Sequence, residues 1–114
     1  MQYPMDKEAF RVFIEENKLF ELTRKSLRGY LESWYEEEPE RFMEDFGADF
    51  QTVMQTYRFK NRMVSCNKNF NFEPPMDTIS CEITVYDAED SYFTTYKAVF
   101  DDALCPLDDM MFHH

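Results

Sequence analysis

The sequence predicts an α+β fold: N-terminal helices, one long or two plus one short, packed on an antiparallel meander of three to four strands. Three observations point there. The 114 residues are 44% hydrophobic and 18% aromatic, which is enough for a core and unlike a disordered chain. Up to about Phe46 the apolar residues recur at helical spacing, and from Phe50 the period changes to two. Ile79, Cys81, Ile83 and Val85 alternate with Ser80, Glu82, Thr84 and Tyr86. After the polar connector Asp87–Ser91 the alternation resumes from Tyr92 to Phe100. Two half-buried strands around a short polar loop make a hairpin, and a hairpin needs another layer over its apolar face. The length fits one domain over 1–114: helical from 6 to 46, sheet from about 50 to 100, and an acidic tail over 101–114.

Asp6 is placed as an N-cap, with Met5 and Phe10 as a hydrophobic staple. Phe10, Phe13 and Ile14 follow at helical spacing, and Leu27, Tyr30, Leu31, Trp34 and Tyr35 form the cleanest helical stripe. Two joins are open: a second helix capped by Thr23, or one helix from Asp6 to about Glu37. Continuity is favoured by the seven-residue column Phe13, Phe20, Leu27, Trp34. A helix starting at Thr23 would also set Arg24, Lys25 and Arg28 against its dipole. Trp34, at the end of that column, is expected to pack on Ile83 and Val85.

Pro39 starts a short helix with an apolar face of Phe42, Met43 and Phe46, closed by Gly47. Val53, Tyr57 and Phe59 are then read as one face of a strand, with Arg58, Lys60 and Arg62 on the other. Met63–Cys66 continues that strand or follows a turn at Lys60–Asn61. Residues 67–77, with Asn67, Asn69, Asn71 and Pro74–Pro75, read as a loop.

Three cysteines, Cys66, Cys81 and Cys105, cannot all pair within one chain. The N-terminal residues show no basic stretch followed by an apolar run, and no window approaches a membrane span. Reduced thiols in the cytoplasm are the expectation.

The formal net charge of −11 is unevenly spread. Residues 1–31 hold five acids and six bases; residues 32–49 hold eight acids against Arg41. Residues 50–68 hold four bases and no acid, and residues 69–114 hold ten acids against Lys97. Direct binding to nucleic acid is excluded, because it needs a net basic footprint.

Most catalytic templates fail on inventory. Both histidines, His113 and His114, stand at the C-terminus, and the two glycines, Gly29 and Gly47, form no phosphate loop. The cysteines and histidines lack paired metal-ligand spacing, and Asp101–Asp102 and Asp108–Asp109 lack calcium-loop spacing. No catalytic residue, metal or cofactor is therefore expected.

Two functional expectations remain. The first is a non-catalytic acidic inhibitor, monomeric or weakly dimeric. It would occupy a basic site on a nucleic-acid-binding protein or nuclease, as anti-CRISPR, anti-restriction and immunity proteins do. Its carboxylates would stand where phosphates bind: Asp87, Glu89 and Asp90 on the hairpin loop, Asp101, Asp102, Asp108 and Asp109 beyond it, and Glu36, Glu37, Glu38, Glu40 and Glu44 as a helical block. The second is a cone-shaped small-molecule-binding or isomerase-like domain, nuclear-transport-factor-like or cystatin-like. There a buried carboxylate among Tyr57, Tyr96 and Trp34 would do acid–base work. The discriminating feature is whether the acids form an exterior ridge or enter an apolar cavity.

Overall fold

The computed structural model describes residues 6–112. Asp6 caps the first helix as the sequence predicts, its carboxylate accepting from the Ala9 amide at 2.7 Å. Helix α1 is Lys7–Glu16. Met5, the staple residue expected opposite Phe10, lies outside the described residues, as do His113 and His114.

The favoured continuous helix is not what forms. The Asn17 side chain donates to the Phe13 carbonyl at 2.9 Å, and Lys18 takes a left-handed φ of 48°. A side chain that bonds back to the helix competes with the next turn, so α1 stops and α2, Leu19–Glu37, starts anew. The join also falls upstream of Thr23. That residue is buried inside α2, its hydroxyl donating to the Leu19 carbonyl at 2.8 Å. The seven-residue column concealed the break because both sides face one core. Phe13, Phe20 and Trp34 are only half-buried, while the fully enclosed line is Leu19, Thr23, Leu27 and Leu31, four residues apart.

Helix α3, Pro39–Phe46, begins and ends as its sequence signals require, with Gly47 closing it at φ 72°. The next segment corrects the strand expected from Phe50. Phe50–Thr56 is helix α4, capped by Asp49, whose carboxylate accepts from the Thr52 amide at 2.8 Å. Val53 and Tyr57 are four apart, a spacing that fits a helix as well as a strand face, and the cap decides.

The strands are β1 Arg58–Asn69, β2 Met76–Tyr86, β3 Tyr92–Asp101 and β4 Pro106–Phe112. They form one antiparallel sheet in the order β1-β2-β3-β4. No turn occurs at Lys60–Asn61. The strand runs on through a register shift between Asn61 and Met63. The loop expected over 67–77 shortens to 70–75, since both flanking strands extend into it. The stretch read as an acidic tail contains the fourth strand, with Asp108 and Asp109 inside it. Pro106 and these acids suit an edge strand, where a missing donor and outward charge discourage further pairing.

Ile79, Cys81, Ile83 and Val85 of β2 are buried beneath α2 with Tyr96, Ala98 and Phe100 of β3. Helices α3 and α4 pack on α2. They tie to the hairpin through Phe46, whose ring stacks on Phe93 at 4.8 Å and whose carbonyl accepts from the Tyr57 hydroxyl at 2.7 Å. Among the described residues no helix is long and apolar enough to cross a membrane.

Candidate functional site

The acids were expected on two candidate surfaces, the hairpin loop with the residues beyond it and the helical block, and the fold divides the first. The hairpin-loop group lies at one end of β3 and the Asp101–Asp102 group at the other, about 30 Å apart for a ten-residue strand. Each group also gives up a carboxylate to its own turn. Asp87 accepts from the Glu89 and Ser91 amides, both at 2.9 Å. Asp101 likewise accepts from the Ala103 and Cys105 amides, both at 2.9 Å. Asp90 pairs with Arg58 at 2.7 Å, which leaves Glu89 and Asp102 exposed. Asp108 is exposed on β4, and its carboxylate accepts from the Asp109 amide at 2.9 Å.

The basic strand face finds local partners. Besides Arg58–Asp90, Arg62 meets Glu82 at 3.4 Å and Lys68 meets Asp77 at 3.0 Å. The cations of these pairs are exposed, while Glu82 and Asp77 are half-buried, and each pair neutralises the acid involved.

The helical block is different. Glu36, Glu37 and Glu38 end α2, Glu40 and Glu44 lie on α3, and all five are exposed. Among the described residues none of the five is in an ion pair. The carboxylates collect because Pro39 ends one helix and begins the next, so the acidic end of α2 abuts the acidic α3.

Beside this ridge runs an open groove of about 1040 Å³ between α2, α3 and the β3–β4 side of the sheet. Ser26, Gly29 and Ser33 give α2 a low wall there, and Tyr30, Trp34 and Phe93 supply rings. Glu37, Glu38 and Asp45 enter from the helices and Asp109 from the sheet, against Arg41 alone. Asp109, expected on an exposed loop, is thus half-buried on β4 and accepts from the Tyr96 hydroxyl at 2.7 Å. Burial, and then Asp109 itself, push the Tyr96 and Tyr30 phenols above the ordinary tyrosine range. Both therefore remain neutral hydrogen-bonding groups at physiological pH.

Trp34 was expected to pack on Ile83 and Val85 of the hairpin. It is half-buried, set edge-on to Tyr30, Phe42 and Phe46 at 6.4, 5.6 and 5.2 Å between centroids. The sequence reading missed Asp45, Arg41 and Phe93. The spacing of Asp45 from Arg41, one helical turn, was the signal that could have placed them on a common face.

Among the described residues no three His, Cys, Asp or Glu side chains gather as metal ligands, so the groove acids line it without converging on a point. A second hollow, about 640 Å³, opens on the other face of the sheet. There Lys68 and Lys97 stand against Asp108 between Asn67, Phe70 and Phe72, so its charge is opposite in sign to that of the first groove. Comparison with protein-family models, with curated proteins and with solved structures finds no match.

Proposed function

We propose that this protein is a non-catalytic acidic binding protein that covers a basic, nucleic-acid-binding site on a partner protein. The observation that carries this reading is the ridge at the α2–α3 join. Five exposed carboxylates stand together there, none of them in an ion pair among the described residues, whereas Glu8 and Glu15 pair with Arg11, Asp90 with Arg58, Glu82 with Arg62 and Asp77 with Lys68. Unmatched surface charge of one sign steers encounter with a surface of the opposite sign. The loop acids support the reading less, because their own turns and Arg58 engage several of them.

The test is affinity capture from host lysate at low and high salt, followed by elution with a DNA oligonucleotide. A basic protein that leaves the column when DNA is added is the expected result. A captured protein indifferent to both salt and DNA would refute the reading.

One observation favours a small-molecule-binding domain instead: the groove holds a half-buried carboxylate, Asp109, beside aromatic rings. The groove is open along its length and lined by four acids, which suits a charged segment of a partner better than an enclosed neutral ligand.

A further inference from the structure

We infer that the groove between α2 and the β3–β4 side of the sheet receives an arginine side chain presented by the partner. This deepens the acidic-surface reading and rests on it. Charge complementarity fixes the sign of the occupant: Glu37, Glu38, Asp45 and Asp109 face one cation, Arg41. The rings narrow the choice between cations. Tyr30, Trp34 and Phe93 offer π surface alongside the carboxylates. A guanidinium is planar and weakly hydrated, stacks on such rings, and still presents a fork of donors to a carboxylate. An ammonium is a compact, strongly hydrated point charge that gains less from the same wall.

The groove also has room. A Cβ built on Gly29 meets no atom within 4 Å, although glycine inside a helix is unfavourable relative to alanine. That bare stretch of α2 lies between Asp109 at one end and Glu37 at the other. Ser26 to Glu37 spans about 16 Å along the helix, long enough to follow a peptide backbone as well as one side chain. Arg41 lines the groove and forms no ion pair among the described residues, so an arriving arginine meets it as a like charge.

Trp34, the single tryptophan, reports on the site. The experiment titrates the protein with hexa-arginine and hexa-lysine peptides of equal charge while following tryptophan fluorescence and affinity. Hexa-arginine is expected to bind about fivefold more tightly and to shift the Trp34 emission saturably. Gly29→Leu, which fills the groove without changing charge, and Asp109→Asn should each abolish the preference. Arg41→Gln should increase it. Neutralising Glu36, Glu40 and Glu44, which do not line the groove, should weaken both peptides equally and leave their ratio intact. Equal affinity for the two peptides in the parent, with binding still lost on neutralising the ridge, would overturn the arginine site and leave the acidic-surface reading standing. Loss of binding in none of the variants would overturn both.

Discussion

Cys81 shows how far a single position can be read from its neighbours. Its register with Ile79 and Ile83 marks it as a small buried hydrophobe, and it is fully enclosed under α2. Burial pushes its thiol up to about 11 from 9.0, only partly offset by a hydrogen bond with Thr23. Between those values the unfolded chain releases the proton and the folded one keeps it, so the unfolded state binds fewer protons. Stability is therefore undiminished below pH 9 and falls as the pH rises toward 11, by about 2–3 kcal/mol from this group. Denaturant melts at pH 8 and 10.5 should show that loss, and Cys81→Ala should reduce it. In native protein a thiol reagent should modify exposed Cys105 well before Cys81. Gly29 makes the opposite kind of residue-scale case, since its side-chain space is empty. Gly29→Ala should raise stability by about 0.5–1 kcal/mol in thermal unfolding. A destabilised variant would mean that the groove wall is tighter than its geometry indicates.

At the scale of elements, the strands β2 and β3 and helix α3 were legible because local signals agreed: strict alternation, a proline in the first turn, a glycine just past the end. The α1–α2 break and α4 were not, because two periodicities coincided there. A seven-residue column survives a two-residue interruption when both sides face one core, and Val53–Tyr57 satisfies either period. Capping chemistry decides both cases, through Asn17 and Lys18 at the break and Asp49 before α4. Strand β4 escaped notice because Asp108 and Asp109 disguise its alternation, a consequence of forming the edge. Lys18 gives the break a direct test. A non-glycine residue in the left-handed region is held at a cost of roughly 1 kcal/mol, so Lys18→Gly should be neutral or stabilising by up to that amount. If α1 and α2 were one helix in solution, the same substitution would place a glycine in its interior and destabilise it by a similar amount.

Across the whole molecule, the carboxylates follow two logics. Asp87, Asp90 and Asp101 at the turns and Asp77 and Glu82 on β2 are held by backbone amides or matched by arginine and lysine. Those at the α2–α3 join stand unmatched beside an aromatic groove. The sequence displayed both acidic blocks but not this difference, because the use of a carboxylate depends on the atoms that the fold brings to it. Asp109 is the clearest example: it lies far along the chain from Glu37, yet lines the same groove. Association with the captured basic partner, followed over a range of salt, tests the division most directly. One variant carries Glu36, Glu37, Glu38, Glu40 and Glu44 as Gln; the other carries Asp87, Asp90, Asp101, Asp102 and Asp108 as Asn and Glu89 as Gln. Both should keep the parent fold: the ridge acids are exposed charges that contribute little to stability, and Asn at 87 and 101 keeps a carbonyl oxygen to accept the turn amides. The ridge variant should associate about tenfold more slowly at low salt and lose most of its salt dependence, while the loop variant stays close to the parent. Parent-like association of both variants at every salt concentration would contradict a docking role for the acidic surface.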